Sequence, residues 1–572
     1  MRSTHLARRR VLRATVLGGA GLGGLALLAC RGDSSGTARQ ATAEVGRSET
    51  RAATQEQALP GGTYNWFIAA NPPSLDPHRT SAVTTMTSVS PVMSRLLRFK
   101  SGKDVAAGYN RETQPDLAQT VESPDAVTWT VKLRQGAAFH NVPPVNGHAV
   151  EAEDVKASFT RALDPKNPNR GSLTFIDPAQ IETPATDTVA FKLTHPYAPF
   201  PKLLASGVYS WIFPREALAG DYDPAKQIIG SGPFLFESFT PDVAATYTKN
   251  PAWFEQGKPY VDSVRRAVVP DPAQRLAQFS AGNLDAVGVP LDDLETMRRR
   301  NPEAELITER DQGGPVLYFQ LDEPSSPWQD ARLRRAVSLA IDRAAFANAH
   351  LKGQWNPSFN VPLNSGKWAL TLKDLPPETA QWYTFDRERA RKLLTEAGGV
   401  DMNVKLLYPI PHPRDPYLKS AAETIFSMLS ALPWRISLVF IDYNKDWVGG
   451  GKGVRYGNFP PDSMVLTGIE GRTDVDEYLY GWWHSKSTSA ISRLKDPRLD
   501  ATIEKARSLL DEQERVKTSL EAQTYIAEQT YSAMGTPSGF DFTLVQPTVI
   551  NHTTGDSYGV GTGQWAQLWL KR

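Results

Sequence analysis

The segment QPDLAQTVESPDAVTWTVKLRQGAAFH, residues 114–140, holds a clear alternation. Val127, Trp129, Val131 and Leu133 alternate with Thr128, Thr130 and Lys132. Successive side chains of a strand point to opposite faces, so this pattern predicts a half-buried strand, ended by Gln135-Gly136. Just beyond it, Ala152, Val155, Phe159 and Ala162/Leu163 recur at helical spacing until Asp164-Pro165 stops the helix. Val189, Phe191 and Leu193 mark another strand. Upstream, Tyr64, Trp66 and Ile68 alternate with Thr63, Asn65 and Phe67, a short strand with two bulky faces. Asn71-Pro72-Pro73-Ser74-Leu75-Asp76-Pro77-His78 follows as a proline-stiffened loop.

The second half of the chain is richer in helices. One begins near Asp330, a good N-cap, with Leu333, Val337, Ala340, Ile341 and Ala344 on its buried face. Arg335, Ser338 and Asp342 fall on the other face of that helix. Another is capped by Asp386, carries Ala390, Leu393, Leu394 and Ala397, and closes at Gly398-Gly399. A third starts at Asp496-Pro497, where the missing N–H of proline costs nothing, and runs through Leu499, Ile503, Ala506 and Leu510. After a break at Asp511-Glu512 a fourth passes through Leu520, Tyr525 and Ile526. No internal repeat of 20–50 residues is evident. Strands and helices alternate along a chain of 572 residues, which predicts a mixed α/β protein of two or three domains.

The N-terminus reads as an address. Arg8, Arg9, Arg10, Val11 and Leu12 form a twin-arginine-like start, and an uncharged Gly-rich run extends from Ala14 to Ala29. That run is shorter than the ~20 residues a membrane-spanning helix needs. It ends Leu27-Leu28-Ala29-Cys30, and Cys30 is the only cysteine of the chain. A lone thiol staples nothing, but it can carry lipid. The order of basic, apolar and small-residue zones predicts a signal peptide over 1–29 and lipidation at Cys30. The alternative is an N-terminal anchor helix with an incidental cysteine. Gly19-Ala20-Gly21-Leu22-Gly23-Gly24 spells a dinucleotide-binding motif without the preceding strand, and is signal composition. From Arg31 to about Pro60 the chain has no aromatic residue and few large aliphatics, and reads as a flexible tether.

With 63 basic against 62 acidic residues and a formal net charge of +1, nothing points to nucleic acid or to an anionic membrane surface. Enzyme signatures are missing. G-x-S-x-G is spelled by Gly32-Asp33-Ser34-Ser35-Gly36 and by Gly555-Asp556-Ser557-Tyr558-Gly559, but neither directly follows an apolar strand run as a nucleophile elbow requires; there is no H-E-x-x-H and no cysteine nucleophile beyond the signal. Gly449-Gly450-Gly451-Lys452-Gly453 fails the phosphate-loop spacing and reads as a surface loop. His412 and His484 read as ordinary hydrogen-bonded histidines, with contact to a metal chelate as the alternative. Asp474, Asp476 and Glu477 read as a solvated loop, with a cation site as the alternative. No catalytic residue, metal site or cofactor is expected.

Several segments, in order, resemble one family, the extracellular solute-binding proteins of family 5, the peptide/nickel type that serves ABC importers. Pro73 to His78 resembles its opening loop. Gln114-Pro115-Asp116-Leu117-Ala118, Trp129 through Arg134, and Phe139-His140 resemble "P-x-L-A … W-x-F-x-L-R-x-G-x-x-F-H". Ala152 to Val155 with Ser158-Phe159 continues that block. Ile229 through Phe234 resembles the "G-T-G-P-Y/F" turn, and Asn250-Pro251 with Trp253-Phe254 the motif after it. Ala281 to Ala286, Asp330 to Arg343 and Ala390 to Gly398 resemble three further blocks. The resemblance covers 61–572. It implies a periplasmic-binding-protein type II-like α/β fold of two lobes with an extra inserted domain, closing by a hinge on a cleft. The implied partition is 61–100, 226–310 and 541–572 for lobe I, 101–225 for the inserted domain and 311–540 for the opposing lobe.

What the resemblance implies for function is a non-enzymatic lipoprotein, a monomer outside the cytoplasm, anchored to the outer face of the cell membrane by lipid alone. It captures a peptide or other small polar solute and hands it to an ABC permease. An oligosaccharide-binding or other non-peptide member is the alternative, and a secreted hydrolase the remaining one. Peptide-binding relatives carry an acidic residue just before a "D-P-x-x-F/Y" run to pair the peptide's amino group. Here that run is Asp474-Val475-Asp476-Glu477-Tyr478, and Gly471 stands at the acid position between Glu470 and Arg472. An ordinary free-amine peptide therefore fits poorly. Gly471 leaves space and Arg472 offers a bidentate partner for an anion. Trp66, Ser74, Phe234, Tyr318, Tyr478 and Trp482 complete the candidate ligand-binding residues, the aromatic ones as stacking surfaces.

Overall fold

The computed structural model describes residues 58–101, 112–310, 314–353, 356–357, 359–410, 417–449, 452–468, 472–533, 537–553 and 562–571. The signal segment with Cys30, the tether as far as residue 57, His412, Gly450, Gly451, Glu470 and Gly471 lie outside the described residues.

The quoted segment folds as its alternation requires. Thr128–Leu133 is a strand whose residues are exposed and buried in strict turn. It sits inside a four-stranded antiparallel sheet in the order Ala118–Glu122, Thr128–Leu133, Thr188–Leu193, Ile176–Ala185. The helix Ala152–Ala162 covers it, started by a capping box between Glu151 and Asp154. Trp129, Val131, Leu133, Val155, Phe159 and Phe191 belong to one apolar core running from Leu96 to Ile229.

A second sheet has the order Thr63–Ile68, Ser263–Val268, Ala244–Lys249, Phe234–Thr240, with the first pair parallel. Its core takes in Tyr64, Phe234, Tyr247 and, from the far end of the chain, Trp565. These two cores are bolted together by polar contacts. Arg161 Nη1 donates to Asp76 Oδ1 at 2.9 Å. His140 donates its backbone N–H to the Gly230 carbonyl at 2.8 Å and pairs through Nε2 with the Gly232 carbonyl at 3.0 Å.

A third body holds the sheet Pro315–Phe319, Ser463–Gly468, Asn403–Ile410, Arg435–Asp442. Its core is built from residues between Val316 and Ala533 alone. The chain therefore enters this body once and leaves it once. Both crossings sit beside a small antiparallel sheet in which Glu305–Arg310 pairs with Phe540–Val545, and Arg310 lies opposite Phe540. Two adjacent strands thus flank the crossings.

Two helix expectations need correction. The helix at Asp330 ends at Ala340, and a new one, Arg343–Leu351, begins after a break at Ile341. Asp342, expected on an exposed helical face, is instead the N-cap of the second helix and accepts from the Ala345 N–H. Ser338, also expected on the outer face, is buried, and its hydroxyl receives Arg343 Nη2 at 2.9 Å. By contrast, Arg387–Glu396 and Pro497–Ser508 start at Asp386 and Asp496 as read, and Gly398 takes the left-handed conformation that ends the former.

Candidate functional site

The candidate ligand residues fall into two groups. Trp66, Ser74 and Phe234 belong to the body of the parallel-edged sheet. Trp66 is half-buried beside Tyr64, Trp565 and His552, its ring centroid 5.8 Å from that of Trp565 and 5.2 Å from that of His552. The Arg266 guanidinium lies 5.9 Å from its ring. Ser74 is a turn-former: its hydroxyl accepts from the Asp76 N–H at 3.0 Å. Phe234 is fully buried in the core.

Tyr318, Arg472, Tyr478 and Trp482 belong to the other body. Tyr318 is buried with its ring centroid 5.9 Å from that of Trp483. Tyr478 and Trp482 lie on the helix Val475–Trp483, ring to ring at 5.2 Å, and Tyr478 is fully buried. The Tyr478 hydroxyl accepts the backbone N–H of half-buried Arg472 at 2.8 Å, which fixes the strand-to-helix turn.

The acids beyond Arg472 are not a solvated loop. Asp474 is the N-cap of the Val475–Trp483 helix and forms a capping box with Glu477. It is buried and ion-paired with Arg515 of the Glu512–Gln529 helix. Asp476, also buried, pairs with Arg507 Nε at 3.0 Å, and burial pushes its carboxyl up to about 6. Glu477 receives the Thr473 N–H at 2.8 Å, the Thr473 hydroxyl at 2.6 Å and, from the core of residues 96–229, the Tyr209 hydroxyl at 3.0 Å. Half-buried Lys202 lies near Asp474 and Arg515, and desolvation draws its ammonium down to about 8. Buried carboxylates persist only when compensated: Asp474 and Asp476 are each paired with an arginine, and half-buried Glu477 is hydrogen-bonded to Thr473 and Tyr209.

His484 is the ordinary histidine expected of it: buried, stacked on Tyr480 at 4.3 Å and hydrogen-bonded through Nε2 to Glu504 at 3.1 Å. Among the described residues there is no cluster of three or more histidine, cysteine or acidic side chains suited to a metal ion. Sequence reasoning missed Tyr197, Lys202, Tyr209, Arg507 and Arg515. No local signal marks them, because their roles exist only across helices and bodies far apart in the chain.

The family model described as "bacterial extracellular solute-binding proteins, family 5 Middle" matches residues 112–490, more than half of the chain. The chain belongs to family 5. The motif order had pointed to the same family. Di/tripeptide-binding protein 2 of Pseudomonas aeruginosa (strain UCBPP-PA14) is 27% identical over 484 residues, spanning 80% of this chain and 86% of the relative. Heme-binding protein A of Haemophilus influenzae is 25% identical over 530 residues, 88% of this chain and 90% of that protein. The binding protein AgaA of A. tumefacien R10, solved in complex with agropinic acid, superposes with a TM-score of 0.70 at 24% identity, covering 89% of this chain and 99% of its own. The fold is thus the type II-like, multi-domain α/β fold of family 5. Its members are extracytoplasmic solute-binding proteins, not enzymes. Among the described residues no helix is long and apolar enough to cross a membrane.

Proposed function

We propose that this family 5 protein is a lipid-anchored receptor, tethered through Cys30 after export on a twin-arginine-like signal, that delivers a small polar solute to an ABC permease. The ligand cleft lies between lobe I (61–100, 226–310 and 541–572, with 101–225 inserted) and 311–540. Relatives of similar likeness are named for di/tripeptides and for heme, and a structural neighbour holds agropinic acid. Family membership alone thus leaves the solute class open between peptides and other polar compounds, oligosaccharides included.

One observation favours a solute without a free amino group. Each described carboxylate at the start of the Val475–Trp483 helix is already engaged, Asp474 and Asp476 by arginines and Glu477 by Thr473 and Tyr209. An unpaired ammonium in a dry cleft costs several kcal/mol. With Gly471 where peptide binders carry their acid, the solute is a blocked, larger or anionic one, and Arg472 faces its acidic group. Calorimetry with matched free and N-acetylated peptides tests this reading. Binding of the acetylated or anionic form alone supports it. Tight binding of the free form alone, lost in Glu470→Gln, would overturn it and assign the amine to Glu470.

A further inference from the structure

The third body touches the rest of the protein at a second place, away from its two chain crossings. Arg507, on the Pro497–Ser508 helix, is buried, and its guanidinium lies 3.8 Å from the centroid of the Tyr480 ring. Tyr480 packs against the core of 316–533. The same guanidinium lies 5.1 Å from the ring of Tyr197, which belongs to the core of 96–229. A cation held by one aromatic ring from each body gains more than a solvated one does, because both rings shield it from water.

Two hydrogen bonds accompany this contact. The Ala198 N–H donates to the Arg507 carbonyl at 2.7 Å, and the Tyr209 hydroxyl donates to Glu477 at 3.0 Å. Tyr209 also belongs to the core of 96–229, so both tyrosines are anchored by their own body's packing. The bodies differ sharply in how they are joined. The core of 96–229 and that of the parallel-edged sheet (64–286 with 545–568) share charged pairs such as Arg161 with Asp76 and Arg98 with Glu255, together with the His140 turn. At the 197–209 junction tyrosine hydroxyl, aromatic and backbone contacts reach across, with Lys202 near Asp474 and Arg515; when these contacts separate, Arg507 keeps Asp476, and Glu477 keeps Thr473.

We propose that this junction is a latch which the chain closes with its own residues. Tyr197 and Tyr209 hold the 316–533 body against the rest, so that the lobes favour the closed arrangement before any solute contributes a contact. The latch rests on the two-lobed fold and not on which solute is bound. It sets how much of the protein stands open for solute entry, and weakening it raises the open fraction.

Small-angle X-ray scattering of the full chain, stripped of solute by unfolding and refolding, reads this directly. Relative to wild type, Tyr197→Ala combined with Tyr209→Phe shifts the radius of gyration upward, with unchanged far-UV circular dichroism. Tyr209→Phe alone keeps the ring packed and removes only the hydroxyl bond; it shifts the radius in the same direction by less, and decides the matter should the double variant not fold. Superimposable scattering of wild type and Tyr209→Phe, with the double variant likewise unchanged or unfolded, overturns the latch. Because no solute is present, this outcome is separate from any failure of the solute assignment.

Discussion

The turn Ile229–Phe234 was read from its Gly-Ser-Gly-Pro pattern, and the structure gives the reason in distances. A Cβ built on Gly230 would stand 2.2 Å from the Val92 carbonyl oxygen and 2.9 Å from Met93 Cα. Both are backbone atoms, so no side chain can swing aside. The Val92 oxygen is also held in place, since it accepts the Gly232 N–H at 2.8 Å. Gly230→Ala must therefore move the turn. Overpacking of this kind costs about 1–3 kcal/mol, and displacing the turn from His140 forfeits hydrogen bonds of about 1 kcal/mol each. The sum is ~3–5 kcal/mol in the region that joins the cores of 96–229 and 64–286. Differential scanning calorimetry is the assay, because a multi-domain chain is not expected to melt in one step. The first transition should fall well below that of wild type. Gly171→Ala is the control: its built Cβ has no atom within 4 Å and its backbone is not left-handed, so its transition should stay put. A Gly230→Ala protein that melts like the control would refute the close-approach reasoning.

Acid should loosen the same region first. Burial holds the imidazoles of His78, His140 and His552 down to about 3, 4 and 4. Depressed values mean that their contribution is complete above the ordinary histidine value and is lost as pH falls from about 6.5 towards 4. At pH 5 each would contribute about 2 kcal/mol less than at neutrality. Asp476 works the other way: its raised carboxyl favours the 316–533 body as pH falls through about 6, against the smaller opposing effect of His350 and His484, which burial also lowers. Calorimetry between pH 7 and 5 should show the two transitions drawing apart, and parallel shifts would contradict this. Arg515→Ala leaves Asp474 buried without its partner and should cost about 3–5 kcal/mol, read as a lower denaturant midpoint; a near-neutral effect would show that the pair is dispensable. Cys30→Ala should leave a folded protein that is released from the membrane fraction or kept unprocessed, and wild-type fractionation would remove the anchor from the account.

Much of the architecture was legible because it is written locally. The exposed-buried alternation of Thr128–Leu133 and the caps Asp386, Asp496 and Gly398 are decided by neighbours within a few residues. The helix break at Ile341 was hidden, since apolar spacing continues through it and Asp342 caps as readily as it faces solvent. The site was harder for the same physical reason. Asp474 and Asp476 look like a solvated acidic loop until Arg515 and Arg507 arrive from helices downstream. Tyr209 gives no sign in sequence that it reaches Glu477, 268 positions away. Aromatic residues named as stacking surfaces are ambiguous by nature, because the same rings fill cores: Phe234, Tyr318 and Tyr478 are all buried.

The central claim is that this chain captures a small polar solute. Native mass spectrometry of the protein isolated from its own cell envelope tests it most directly. The account predicts one solute molecule per chain, released unchanged on unfolding and lacking a free amino group or bearing an anion. A protein that carries no solute from its native source, and then binds no member of a panel of free, blocked and anionic peptides and sugar acids, would contradict it.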